Sequence, residues 1–155
     1  MKLIQEGIIF DWIGTLSAGS KGGVYPYSEK VLQYLREKKE IKYRIGLVSI
    51  AGFGVKERIK DLEKTGIIYY FDSIIINDKM KTPKHYIQCM HEMGTVPRTT
   101  IVVGDTASLE IRIGNKLGCK TYWIQNSVFA PEPPNKKTGE PTKIINSVED
   151  LLKIL

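Results

Sequence analysis

Apolar residues along this chain fall alternately into short continuous runs and into helical spacings, the two patterns that mark buried strands and amphipathic helices. Ile4 to Phe10 reads as the first strand and ends on Asp11. Ser28 stands where an N-cap belongs, ahead of a helix whose apolar face is Val31, Leu32 and Leu35. Ile45 to Val48 predicts a second strand ending on Ser49, and Val55, Ile59 and Leu62 predict a helix that Gly66 terminates. Ile74 to Ile76 is the next strand, followed by a helix carrying Tyr86 or Ile87, Met90 and Met93 and closing near Gly94. Ile101 to Val103 runs as a strand into Gly104-Asp105. Leu109, Ile113 and Leu117 then space a helix stopped by Gly118, and Thr121 to Ile124 forms a strand. The proline-rich stretch from Asn126 to Pro141 reads as a surface loop, and Ser147 with Asp150 as a capping box for a short last helix through Leu155.

Strand and helix alternating in this way predict an α/β fold, a parallel sheet with helices on both faces, over a single domain spanning 1–155. Such sheets bind ligands beyond the carboxyl ends of their strands. Asp11, Ser49 and Asp105 each follow directly on an apolar strand, so the fold should gather them at one crevice.

The composition adjusts the picture without redirecting it. The 155 residues are 42% hydrophobic and 26% charged, as expected of a globular protein, and the net charge of +6 favours anionic partners. No basic run is interleaved with aromatics, so phosphorylated small molecules or macromolecular phosphates are the expected partners and nucleic acid is not. Cys89 and Cys119 read as small core residues in a reducing compartment. No stretch has the length of a membrane span and no secretory h-region is seen, so the expected location is cytoplasmic. His85 and His91, six residues apart, fall on different helix faces and do not read as a metal pair.

The chemistry concentrates on the acids. Asp11 heads the segment Asp11-Trp12-Ile13-Gly14-Thr15-Leu16, and taken alone it could equally be a turn residue. Two acids at neighbouring strand tips repel, however, and Asp11 with Asp105 calls for a hard cation with oxygen ligands, Mg²⁺ above all. Glu110, five residues past Asp105, could ligate or orient metal-bound water, or could simply favour a helix N-terminus.

In order, four segments resemble the motifs of the haloacid dehalogenase (HAD) superfamily. Asp11 to Leu16 resembles its Asp-x-Asp-Gly-Thr-Leu motif, Ser49 its strand ending in Ser or Thr, Lys79 to Tyr86 its Lys near a Pro, and Gly104-Asp105-Thr106 with Glu110 its closing acidic motif. The resemblance implies a three-layer Rossmann-like fold. It further implies Asp11 as a nucleophile forming an aspartyl-phosphate, with Mg²⁺ held by Asp11, Asp105, Glu110 and the backbone carbonyl of Ile13. Ser49 and a lysine would bind the phosphoryl oxygens. Counting back from Asp105 puts the family lysine on Met80, flanked by Lys79 and Lys81; Lys81, nearer the helix start, is preferred.

Two departures bear on function. Ile13 stands where most phosphatases of this family carry a second Asp, which protonates the leaving group, so turnover of alkyl phosphates should be slow. The Asp-Trp-x-Gly-Thr wording also resembles the phosphonate-cleaving branch, which uses a lysine from a cap domain. Here residues 17–48 and 50–80 leave no room for a cap. An open site suits a bulky substrate or a homo-oligomer whose neighbour forms the lid, and the loop from Ser17 to Tyr27 reads as a small flap or a flexible connection. The alternative to an enzyme is a HAD-fold protein that binds a phosphorylated ligand or partner without efficient turnover.

Overall fold

A computed structural model describes residues 5–19, 21–51 and 54–155; Ile4, taken above as the start of the first strand, lies outside the described residues. Six parallel strands form one sheet in the order β3-β2-β1-β4-β5-β6. They are β1 (Gln5–Phe10), β2 (Arg44–Ile50), β3 (Ser73–Asn77), β4 (Thr95–Gly104), β5 (Lys120–Ile124) and β6 (Lys143–Ile145). Four helices connect them, α1 (Ser28–Glu37), α2 (Val55–Thr65), α3 (Pro83–Met93) and α4 (Arg112–Leu117), and α5 (Leu151–Ile154) follows β6. This is the three-layer α/β arrangement that the alternation of patterns implied.

Because side chains alternate along a strand, each central strand serves two cores. Ile8 and Phe10 of β1 join Leu47 and Val103 against Val31, Leu32 and Leu35 of α1, Leu62 of α2 and Leu151 of α5. Ile9 faces the other way, with Val48 and Val102, onto Tyr86, Cys89, Met90 and Met93 of α3 and Ile113 of α4. Both cysteines are free and buried, and burial pushes their thiols up, Cys89 to about 12 and Cys119 to about 11. Between β1 and β2 the described residues form a short hairpin and α1, and between β2 and β3 only α2 and a 3-10 turn, Ile67–Tyr70.

Four local expectations are corrected. Ser28 does not cap α1; it is the first helical residue, and its buried hydroxyl donates to the Leu16 carbonyl at 2.8 Å, tying the helix to the turn after β1. The inward face of α2 is Arg58 and Leu62, whereas Val55 is exposed and Ile59 half-buried. The helix after Asp105 opens with a π-helical turn, Ala107–Ile111, which buries Ala107, Glu110 and Ile111 and leaves Leu109 half-buried. Lys143–Ile145, unassigned in the sequence pattern, pairs with β5 as an edge strand.

Candidate active site

The sheet order reverses direction between β1 and β4, since the chain builds outward from β1 to β3 and then returns to the other side. Ligand sites in open parallel sheets form at such a point, outside the strand ends. Phe10 is registered with Val103, so Asp11, the next residue, and Asp105, two residues past Val103, leave the sheet close together, and Asp11 N donates to the Val103 carbonyl at 3.1 Å. A cleft of about 190 Å³ opens there, lined by Asp11, Ile13, Ser49, Lys81 and Asp105, with Leu109 and Phe129 among its apolar residues.

After Asp11 the backbone turns sharply. The Trp12 carbonyl accepts from the N–H groups of Thr15, Leu16 and Ser17 at 2.9 to 3.2 Å, while the Ile13 carbonyl accepts no hydrogen bond among the described residues. Gly14 makes the turn possible. Its φ of +84° is left-handed, and a Cβ there would overlap the Asp105 carboxylate. Ser17 then pairs with Val24, and Ala18 N donates to the Gly23 carbonyl at 2.8 Å, giving the segment after the turn the form of a hairpin beside the cleft.

Asp11, Asp105 and Glu110 are all buried, and each brings a carboxylate oxygen within 4.8 Å of the others. Ser127 donates to Asp105 Oδ2 at 2.6 Å and Thr106 to Oδ1 at 3.2 Å, yet burial and the neighbouring Asp11 charge still push its carboxyl up to about 6. Trp123, a core aromatic, donates its indole N–H to the Asp105 carbonyl at 2.9 Å and fixes the backbone there. Glu110 reaches the group because of the π turn, which has more residues per turn than an α-helix and rolls this side chain inward. Its Oε1 accepts from Thr106 N at 3.3 Å, and its Oε2 is buried without a hydrogen bond. Burial and the charges of Asp11 and Asp105 outweigh the attraction of Lys81 and raise the Glu110 carboxyl to about 8. Three crowded carboxylates with an unsatisfied oxygen among them form the all-oxygen donor set that hard divalent cations take, so these residues fit such an ion.

The opposite wall carries donors. Lys81 Nζ lies 2.5 Å from Asp11 Oδ1 and 3.4 Å from Glu110 Oε2, the second contact at ion-pair distance but without hydrogen-bond alignment. Burial opposes its charge, but Asp11 and Glu110 overcompensate and hold the ammonium above its usual pKa. Lys79 is exposed, with its backbone N–H on Asn77 Oδ1, so of the two candidate lysines the structure brings Lys81 to the cleft. Ser49, next to last in β2, is buried, and its hydroxyl accepts from Arg58 Nη1 at 2.5 Å. Sequence reasoning missed Arg58. His85 is structural: its Nδ1 accepts from Thr82 N at 3.1 Å at the start of α3.

Comparison with known proteins places the chain in a family. A 134-residue stretch, 84% of this chain, is 26% identical to the glyceraldehyde 3-phosphate phosphatase of Methanopyrus kandleri, covering 56% of that relative. The pyrophosphatase PpaX of Bacillus velezensis is 26% identical over 81% of this chain and 58% of its own length. The chain thus spans about half the length of the curated relatives it matches. Among solved structures, a HAD phosphatase from Thermococcus onnurineus superposes with a TM-score of 0.67 at 25% identity, over 84% of this chain and 57% of that one. A protein from Listeria monocytogenes serotype 4b shares the fold over 97% of this chain and 99% of its own, with a TM-score of 0.78 at 17% identity. The family model described as haloacid dehalogenase-like hydrolase matches residues 8–124, which include the β1 and β4 tips, Ser49, Lys81 and Glu110. The chain belongs to the haloacid dehalogenase-like hydrolase family.

Proposed function

We propose that this protein is a Mg²⁺-dependent phosphohydrolase that works through an aspartyl-phosphate on Asp11. The observation that carries the reading is the buried meeting of Asp11, Asp105, Glu110 and Lys81 at one strand-end cleft. Asp11, Asp105, Glu110 and the Ile13 carbonyl would hold the ion, directly or through water. Once bound, Mg²⁺ supplies positive charge that offsets repulsion between an anionic substrate and these acids.

The chain's own groups then divide the work. An Asp11 carboxylate oxygen attacks phosphorus, a new P–O bond forms, and the bond to the leaving oxygen breaks with its electron pair. Lys81 donates to Asp11 Oδ1 and so orients the nucleophile; as phosphoryl charge develops, its ammonium is already aimed into the cleft. Ser49 binds an equatorial phosphoryl oxygen. Water attack at phosphorus in the second half-reaction releases phosphate and restores Asp11.

Neither half-reaction has an ionisable group at position 13, because Ile13 lines the cleft there. General acid–base help is worth about 10²- to 10⁴-fold, so substrates whose leaving groups depart without a proton, aryl or acyl phosphates, should be preferred. Ile13 is also what favours a second reading, a protein that binds a phosphorylated ligand with little turnover. Hydrolysis of p-nitrophenyl phosphate with Mg²⁺ tests the first. Asp11→Asn should abolish the rate and Ile13→Asp should raise it by about tenfold or more. A wild-type rate equal to the Asp11→Asn background, alongside measurable phosphate binding, would select the second. The described chain has no helix long and apolar enough to cross a membrane. We further propose that the chain acts as one domain on a phosphorylated small molecule or macromolecule in the cytoplasm, and that its open cleft is bounded by a bulky substrate or a neighbouring copy.

A further inference from the structure

Arg58 has no counterpart among the sequence motifs, yet it is one of only two buried residues on α2. Its guanidinium has no carboxylate within ion-pair distance among the described residues; Asp11 and Asp61 act on it only at longer range. The direct polar partner found for it is Ser49 Oγ, at 2.5 Å. A buried cation held this way needs a reason, since burial disfavours its charge.

The donor inventory supplies one. A guanidinium offers only N–H donors, so in this bond Ser49 Oγ must act as the acceptor. The Ser49 hydroxyl proton is therefore turned away from Arg58, and among the described residues it has no acceptor. Ser49 lines the cleft beside Asp11 and Lys81, and the open side of its hydroxyl is the cleft itself. An incoming phosphoryl oxygen would be the acceptor that completes it.

We propose that Arg58 is a positioning residue: by occupying a lone pair of Ser49 Oγ, it fixes that hydroxyl as a donor to a phosphoryl oxygen. This deepens the phosphoryl-site reading and rests on it. Without Arg58 the hydroxyl can rotate, and it can satisfy itself on backbone carbonyls instead of the ligand. The effect should pass through Ser49 alone, which separates positioning from a general structural role.

A double-mutant cycle tests this, with inorganic phosphate titrated calorimetrically in the presence of Mg²⁺. Arg58→Met should weaken phosphate binding about tenfold and Ser49→Ala by at least as much, the loss expected when one hydrogen bond to a charged group is removed. The double variant should bind no more weakly than Ser49→Ala. Arg58→Lys, which retains a donor on the same helix face, should recover part of the loss, and it carries the test if the Met variant does not fold. Unchanged binding in Arg58→Met, or losses that multiply in the double variant, would overturn the proposal. If the cycle behaves as expected while wild type shows no Asp11-dependent turnover, the phosphohydrolase reading fails and the role of Arg58 stands. If wild type binds no phosphate at all, both fail.

Discussion

At the tips of β1 and β4 the protein gathers three carboxylates, whereas beside β2 and β3 the cleft is lined by the donors Ser49 and Lys81, with Arg58 bonded to Ser49 from behind. The two halves differ in how they are held. The cations of the donor half are satisfied, Arg58 on Ser49 and Lys81 across the cleft on Asp11, and among the described residues only the Ser49 hydroxyl proton is left over. The acidic half is not: Glu110 keeps an unpartnered oxygen, and two of its three carboxyls are pushed upward. The difference teaches that the fold tolerates concentrated negative charge because Lys81 crosses from one half to the other. It also leaves the acidic half prepared for a cation from outside.

The comparison breaks most severely at the bridge. Lys81→Met leaves buried acids without their cation and should cost about 3–5 kcal/mol, read as a lower urea midpoint. The loss should shrink at acidic pH, where Glu110 and Asp105 can take up protons. Next is Gly14→Ala, which forces a side chain into a left-handed conformation and onto the Asp105 carboxylate. It should cost about 2 kcal/mol or more and weaken the Mg²⁺-induced thermal shift.

The pH dependence sharpens the contrast further. Asp105 and Glu110 have folded pKa values above their unfolded ones, so the folded state binds more protons between those values. In EDTA-treated protein, stability should therefore be greatest near the unfolded pKa values, at about pH 4, and fall as pH rises through about 6 and then about 8. Lys81, a base whose pKa is also raised, keeps its contribution below its unfolded pKa and loses it only in strong alkali. Added Mg²⁺ should flatten the decline, because the ion competes with the protons; a Tm that rises between pH 5 and pH 8 without metal would contradict this account of the acidic half. The smallest effect expected is that of Asp105→Asn. It should stabilise the metal-free protein by about 1 kcal/mol at neutral pH by relieving carboxylate crowding, while abolishing the Mg²⁺ thermal shift.

The legibility of this site followed the regularity of its backbone. Asp11, Ser49 and Asp105 could be located from sequence because each ends an apolar run, and parallel strands deliver such residues to one edge. Lys81 sits in a connection without periodicity, so spacing could not separate it from Lys79. Arg58 was hidden by a competing pattern: Val55, Ile59 and Leu62 outline a plausible apolar stripe, and an arginine beside it looks solvated. Its spacing of four from Leu62 was the available signal, since residues four apart share a helix face. Glu110 was identified by its distance from Asp105, but its inward turn depends on a π turn that no 3.6-residue period foretells. The β6 strand is three residues long with one buried side chain, too short for any pattern to register.

The placement of β1 next to β4 also bears on when the proposed site can first assemble. Gly7 and Thr100 are neighbours in the sheet although some ninety residues separate them, and closing so long a loop is among the slower events in folding. On the proposed mechanism, chains that have assembled only β1 to β3 would carry Asp11 without Asp105 and Glu110 beside it. By the same reading, competence would come only with the β1–β4 pairing, and half-folded molecules would stay chemically silent.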